Sequence, residues 1–541
     1  MFAARIVTLS GIVLLLLAAL VPTAGGADAP AFIIMPEVPE VLAFANGKMV
    51  PAAPIVRAIG GRLTVKDGQL AITIGGASLR YRVGNMTLEC VKGREKKKIE
   101  LTPAPFALNG EVYLPLLSLV TALDGLATYV PSVPGYIVTI GGSTLRLREI
   151  SLKVEPPAYQ ETEPQLYFAA LDGAELTRLS YSEGSTGLPV ISPSGDALVF
   201  ARFGALYRRS PAESEADVLL CASYDDVQRT YSTPCFKPDG KAILFTKTER
   251  KAGDEQEHET VGMVGLDGTG ETTLADGSSP CPFPGKGAGG MAIVLNTPRD
   301  GTRILRGGTG QGMKKGMVLL TVRRQTVSGL MKVTEVNPAE TYAEELADWT
   351  GIAPGDKAIP LSQFFTYTMN DGQAAASRVG LAHPTLGPIS FAPLFPLEGS
   401  AVAIAPDGLS VAWTGSEVGN PVIKVASIVN MEAKTLASGH SPAFSPDGKR
   451  IAFIDGNGSL MLIGADGKNP QSLQPSWTGV LTHPAFTPDG AEILFMKDGR
   501  LYAIKPGERT ARALTKGIAV RDYTFCPDGK HLVLTAVPGT P

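Results

Sequence analysis

Three hydrophobic patterns succeed one another along this 541-residue chain. An unbroken apolar run, Ile12 to Val21, follows Arg5 and gives way to Pro22 and the small-residue stretch Thr23–Ala29. Between residues 40 and 142, short alternating runs are punctuated by Asn-Gly and Gly-Gly. Two brief segments there carry apolar residues at helical spacing, Ile55-Val56-Ile59 and Leu116-Leu119-Val120-Leu123. From about residue 165 onward, apolar blocks of three or four residues recur behind turn-forming tetrapeptides. Period-two alternation and short apolar blocks bounded by turns predict strands, so nearly all of the chain after residue 40 reads as β-structure with two small helices.

The first pattern, a cation followed by a short apolar core and small residues, is that of a secretory signal. The apolar run is shorter than the ~20 residues a bilayer-spanning helix needs, which disfavours an uncleaved anchor. Residues 1–27 are therefore expected to be removed on export. No cysteine follows the run, so lipid attachment there is excluded. No later segment is apolar enough to span a membrane, and the mature chain is expected in the periplasm or outside the cell.

The second pattern is an internal duplication. One copy reads Asn46-Gly47-Lys48-Met49-Val50-Pro51, a short helix, Gly60-Gly61, then Leu70-Ala71-Ile72-Thr73-Ile74-Gly75-Gly76. The other reads Asn109-Gly110-Glu111-Val112-Tyr113-Leu114-Pro115, a short helix, Gly125, then Tyr136-Ile137-Val138-Thr139-Ile140-Gly141-Gly142. Asn-Gly accepts the positive φ of a tight hairpin, Pro opens a helix and Gly closes it. Each copy is too small to bury its own face, so the two should pack together. This doubled unit resembles the copper amine oxidase-like N-terminal domain, a stalk module of secreted bacterial proteins, and is assigned to residues 38–145. That resemblance implies a non-catalytic appendage. No His-x-His occurs anywhere in the chain, so no copper is expected. The basic run Lys92-Gly93-Arg94-Glu95-Lys96-Lys97-Lys98 reads as a solvated hairpin tip, the usual meaning of a charge run. A Pro- and Glu-bearing stretch, 146–164, reads as a linker.

The third pattern is periodic. Ser192-Pro193-Ser194-Gly195, Lys237-Pro238-Asp239-Gly240, Ala405-Pro406-Asp407-Gly408, Ser445-Pro446-Asp447-Gly448, Thr487-Pro488-Asp489-Gly490 and Cys526-Pro527-Asp528-Gly529 each precede an apolar block. Pro282-Phe283-Pro284-Gly285, before Met291-Ala292-Ile293-Val294, is a degenerate seventh. Apart from one gap of 122, the turn prolines lie 39–46 residues apart. A period near 40 with several strands per unit marks propeller blades. The chain ends after two strands of its last unit, and residues 165–179 match the two outer strands that unit lacks, so the termini should close the ring. The fold class is thus mainly β, a β-propeller of six to eight blades, seven favoured, over residues 165–541, behind a small α+β domain. The repeat resembles that of TolB-type propellers. Within the long gap, a small β-rich insertion is expected at about 308–365.

Composition narrows the function classes. The balance of 49 basic and 52 acidic side chains gives a net charge of −3, which argues against nucleic acid as a partner. Five cysteines with no CxxC give no support for a zinc ribbon or thioredoxin motif. Cys221 and Cys235 could close a small loop, but small buried thiols are the simpler reading. There is no Gly-x-Ser-x-Gly, phosphate-binding loop or dinucleotide fingerprint. One Asp per turn is too little for calcium, which wants ~6–8 oxygens.

Five histidines remain. His440 and His483 stand just before inner strands of neighbouring units, where a propeller's channel opens, and Arg521 and Asp522 hold the corresponding place in the last unit. These four are the candidate binding residues. A lyase-like metal site could be built from His383, His440 and His483, but the one-residue offset between His440 and His483 would turn them to different faces of a strand. The chain therefore reads as a monomeric, non-catalytic binding or scaffold protein of the cell envelope. It is expected to need no cofactor, with an envelope protein, peptide or glycan as partner; the alternative is a metal-assisted carbohydrate-active enzyme.

Overall fold

A computed structural model describes residues 41–539, apart from the segment 152–162 and short loops of which 370–377 is the longest internal one. The expected signal segment, residues 1–27, lies outside the described residues. The N-terminal part holds two sheets and two helices around one apolar cluster that draws Val50, Ile55 and Val56 from the first copy and Leu114, Leu119 and Val120 from the second. Helices Ala52–Ala58 and Leu116–Ala122 each begin directly after a proline in extended conformation, Pro51 and Pro115. The two copies solve the helix exit in the same way with different residues. Gly60 (φ +73°) takes the left-handed position in the first, and Asp124 (φ +52°) takes it in the second. The glycine that follows is needed for close approach, because a methyl group on Gly125 would meet Ile140 at 2.6 Å.

The basic run proves to be more than a tip. Gly93 (φ +61°) makes the turn, and Lys96, Lys97 and Lys98 ride on Glu95–Glu100, the edge strand of a five-stranded sheet. A charged edge resists pairing with a further strand. Strand Ser143–Ser151 pairs in parallel with Val41–Phe44 (Val41↔Glu149) and antiparallel with Gly135–Ile140. The connection to the next region therefore starts after Ser151 rather than at 146. The prolines and glutamates that mark the linker lie largely beyond this strand, whose alternate residues Leu145 and Leu147 pack on the core.

The remainder is a seven-bladed propeller. Blade 1 is Thr186–Ile191, Leu198–Arg202, Ala205–Arg209 and Asp217–Leu220 in simple antiparallel order. Blades 2 and 3 share one continuous strand, Thr272–Pro282: residues 272–276 close blade 2 against His258–Gly265, and residues 277–282 open blade 3 against Phe365–Met369. Ala433–Phe444 does the same for blades 4 and 5. Blade 6 runs from Leu481–Phe486 to Arg512–Ala513. In blade 7 the C-terminal strands Ile518–Phe525 and His531–Pro538 are completed by Gln165–Ala170 and Leu176–Arg178, in register from Gln165↔Ala536 to Ala170↔His531. The inner strand of blade 1 packs on the inner strands of blade 7, which closes the ring.

The repeated turns lie on one end of that ring, and four of them approach the turn before. A methyl group on Gly240 would meet Pro193 at 3.5 Å, one on Gly448 Pro406 at 3.8 Å, one on Gly490 Pro446 at 3.3 Å, and one on Gly529 Pro488 at 3.6 Å. The glycines are left-handed, and the aspartates accept the N–H two residues on, as Asp407 does from Leu409 (2.8 Å) and Asp489 from Ala491 (3.0 Å). They are turn formers. Apolar clusters fill the spaces between blades, for example Ala412, Ile423 and Phe453 between blades 4 and 5.

The long gap contains a closed six-stranded barrel formed by Ala292–Val294, Thr302–Arg306, Val318–Arg323, Thr326–Val336, Glu340–Asp348 and Lys357–Pro360. It starts at Ala292, earlier than the expected 308, and sits between the first and second strands of blade 3. Met291–Val294 reads locally as the blade's second strand. Its actual partners are Arg306 and Ala358, and Phe365–Met369 takes the blade position instead. The barrel is filled by Leu305, Leu319, Met331 and Val333, and it rests on blades 3 and 4 through Leu320, Leu330 and Ile359 against Phe364, Leu381 and Trp413.

All five cysteines are free thiols. Cys221 and Cys235 do not close a loop. Cys235 donates to the carbonyl of Pro280 across the boundary between blades 2 and 3 (3.1 Å), and burial pushes its thiol far up.

Candidate functional site

The end of the ring opposite the Pro-Asp-Gly turns is shaped by a shared irregularity. Every inner strand breaks its ladder a few residues before the turn proline, between Gly187 and Val190, Ser232 and Cys235, Ser278 and Cys281, Ser400 and Ala403, His440 and Ala443, Thr482 and Ala485, and Val520 and Asp522. In five of them the residue five before the turn proline is left-handed: Thr233, Ser279, Ala401, Ser441 and His483, with φ between +44° and +56°. Such a bulge takes the residue out of the ladder and aims its side chain afresh. The released N–H groups reach the preceding blade. Ser279 donates to Thr246 Oγ1 (2.9 Å) and Ser441 to Thr414 Oγ1 (3.0 Å).

The four candidate residues fall on this ring unequally. His483 is the bulge residue of blade 6, exposed and unpaired in the ladder. Its counterpart in blade 5 is Ser441. His440 lies one residue earlier, opposite Ile454 in the ladder, half-buried, with Nδ1 3.0 Å from Ser441 Oγ. The one-residue offset thus separates a paired from an unpaired position. Asp522 of blade 7 stands at the same distance from its turn proline as His483 but pairs with Thr535, so that Arg521 is the residue left out of the ladder; Asp522 is partly buried. Burial raises its carboxyl above the usual range, opposed by the Tyr523 N–H (2.7 Å) and by the nearby His483 imidazole. Arg521, beside it, is exposed.

Tyr523, which residue patterns did not single out, joins the two blades. Its hydroxyl donates to the His483 carbonyl (2.6 Å), and burial, with the Asp522 charge, raises its own pKa strongly. The structure therefore brings together His483, Asp522 and Tyr523 at the junction of blades 6 and 7, with Arg521 alongside and His440 one blade away. A signal for the ring existed in the sequence: Pro234, Pro280, Pro442 and Pro484 each follow the bulge residue.

His383 is not part of this end. It is on the third strand of blade 3, 3% exposed, with Nε2 3.2 Å from Gln363 Oε1 and Nδ1 3.0 Å from Thr385 Oγ1. Burial, with Lys237 and Lys357, lowers its pKa to about 4. The three-histidine set is therefore not assembled. Among the described residues no group of three or more His, Cys, Asp and Glu side chains could hold a metal ion. What the junction offers is a polar, partly buried group of side chains able to give and accept hydrogen bonds.

Among solved structures, TolB from Acinetobacter baumannii matches at 15% identity over 79% of this chain and 81% of its own, with a TM-score of 0.29. An oligogalacturonate lyase in complex with manganese matches at 13% over 76% and 96%, TM-score 0.34. The oligogalacturonate lyase of Vibrio parahaemolyticus matches at 10% over 76% and 96%, TM-score 0.34. No protein-family model matches the chain, and no curated protein does.

Proposed function

We propose that this chain is an exported protein of the cell envelope that binds a protein, peptide or glycan at the bulged end of its propeller, without catalysing a reaction. The observation that carries this reading is the junction of blades 6 and 7. It presents His483 and Arg521 as exposed residues outside the ladder, beside a half-buried Asp522 and a half-buried Tyr523 whose hydroxyl ties blade 7 to blade 6. The resemblance of the turn repeat to TolB-type propellers supports a protein or peptide ahead of a glycan. The signal-like leader supports export, and among the described residues no helix is long and apolar enough to cross a membrane. The duplicated N-terminal module fits the part of a non-catalytic stalk.

The test is affinity capture from envelope extract with native chain and an Asp522→Ala/His483→Ala variant in parallel, together with metal analysis of the purified protein. A ligand retained by the native chain and lost by the variant is the expected result. A stoichiometric metal that disappears on His440→Ala or His483→Ala would instead establish the carbohydrate-active alternative.

A further inference from the structure

The five-stranded sheet of the N-terminal module buries only one of its faces. Its strands are Arg62–Lys66, Gln69–Ile74, Ala77–Arg82, Thr87–Lys92 and Glu95–Glu100, side by side in that order. Leu70, Ile72, Leu79, Leu88 and Cys90 pack on the core. Residues opposite one another in a ladder share a face, so the register fixes what the outer face carries. One row across it runs Arg62, Thr73, Ser78, Val91, Lys96. The next runs Thr64, Ala71, Arg80, Glu89, Lys98, and in a third Arg82 lies opposite Gln69.

Arg62, Arg80, Arg82, Lys96 and Lys98 are all exposed on this one face, against the carboxylates of Glu89 and Glu100. The ion pairs of this module among the described residues are Lys48–Glu149, Lys92–Asp124 and Lys97–Glu95, and they leave all five cations out. In a chain of net charge −3 this is a local concentration and not an average property. The basic run supplies only part of it. Lys97 stands opposite Cys90 and so belongs to the other side of the sheet, while the arginines come from two earlier strands. Like charges gathered without partners repel one another, and a bound polyanion relieves that repulsion.

Spacing and the side chains in between say which polyanion. Arg62 and Lys96 stand four strands apart, about 19 Å at the usual inter-strand distance, too wide for one compact anion and right for a chain charged at intervals. Between the cations lie Thr64, Gln69, Thr73 and Ser78, whose hydroxyls and amide match sugar hydroxyls. An open cleft of about 520 Å³, lined by Arg62, Thr73, Ser78 and the backbone of Gly60, Gly61 and Gly76, lies at the margin of the face. A bilayer surface is disfavoured because it wants apolar anchors. The exposed apolar residues nearby are elsewhere: Val65 on the opposite face and Met86 in the loop before Thr87. We infer that this face binds an acidic polysaccharide, whose carboxylates pair with Arg80, Arg82, Lys96 and Lys98 while one sugar unit sits in the cleft beside Arg62. The inference is independent of the propeller's bulged end.

The test is binding of the full chain to alginate, a polymer of uronic acids, with neutral dextran and phosphatidylglycerol vesicles in parallel. Alginate should bind and dextran should not, and the affinity should fall at high salt because exposed charges are screened. Arg80→Gln/Arg82→Gln should weaken alginate binding about ten-fold with an unchanged thermal midpoint, since both side chains are exposed. Lys98→Gln should weaken it about three-fold, whereas Lys97→Gln, its neighbour in the run on the other side of the sheet, should not. That pair decides the matter even where the arginine variant unfolds. Four results would overturn the proposal: no binding of alginate, undiminished binding in the arginine variant, equal effects of Lys97→Gln and Lys98→Gln, or vesicle binding that Arg80→Gln/Arg82→Gln abolishes. Asp522→Ala/His483→Ala should bind alginate as the native chain does, which separates failure here from failure at the propeller.

Discussion

Blades 3 and 7 are both assembled from distant stretches of chain, and they are interrupted in opposite ways. Blade 7 is split between the two ends of the propeller, its second strand from residues 531–538 pairing with 165–170. Blade 3 has a whole barrel threaded between its first and second strands, yet its inner strand continues without a loop from the outer strand of blade 2. The interruption in blade 7 is what makes the ring close. The one in blade 3 adds a separately filled body whose core, Leu305, Leu319, Met331 and Val333, is its own. One discontinuity should therefore be indispensable and the other tolerated.

The sharpest way to break the comparison is deletion. Removing residues through Leu179 strips blade 7 of its two outer strands and exposes the ladder of His531–Pro538. Loss of near-ultraviolet circular dichroism and aggregation are expected. Replacing the barrel, residues 290–360, by a short Gly-Ser linker should leave a soluble propeller, with a lowered midpoint because Phe364, Leu381 and Trp413 lose their cover. Equal loss of fold in both would refute the distinction.

A point substitution asks the same question more gently. Leu534, fully buried in blade 7, and Leu319, fully buried in the barrel, are matched targets. Either change to Ala should cost about 2–5 kcal/mol. Leu534→Ala should lower the midpoint of the whole propeller in calorimetry. Leu319→Ala should accelerate exchange only within 292–360.

The smallest effect is one of sign with pH. Asp356 of the barrel is 2% exposed. Burial alone would raise its pKa, but Arg323, the Ala353 N–H and Ser328 together hold it below the usual range. A depressed carboxyl contributes stability above its unfolded pKa, ~3.9, and loses it as pH falls through the lower folded value. Asp522 of blade 7 is raised, so protonation favours its folded state and stability grows as pH falls through that raised value. Below about pH 4 the barrel should open first. Asp356→Asn should remove that acid sensitivity. Asp522→Asn should raise the neutral-pH midpoint on the order of 1 °C, and a lowered midpoint would show that the carboxylate is stabilised rather than desolvated.

Much of this architecture was legible in residues because its signals are local. A left-handed glycine two places after proline, with an aspartate between, specifies a turn whatever surrounds it, and five such turns, with Pro193-Ser194-Gly195 as a sixth of the same form, mark the blades. The closing strands were legible as well, since Gln165–Leu179 supplies the two strands the last unit lacks. Apart from residues 146–151, read as linker and found as strand, what misled was a question of partner. Ala292–Val294 has the composition of a blade strand, and only Arg306 and Ala358 make it a barrel strand. His383 has the composition of a ligand, and only its burial beside Gln363 removes it from the rim.

By itself, then, the chain's order of residues determined the kind of nearly every element and the recurrence of one repeat, because backbone preference and apolar spacing act over a few residues. Three-dimensional packing alone decided which strand lies beside which. It also set His483 apart from His440 and placed Tyr523 and Asp522 next to His483, because those relations depend on ladder register and on contacts between residues far apart in the chain.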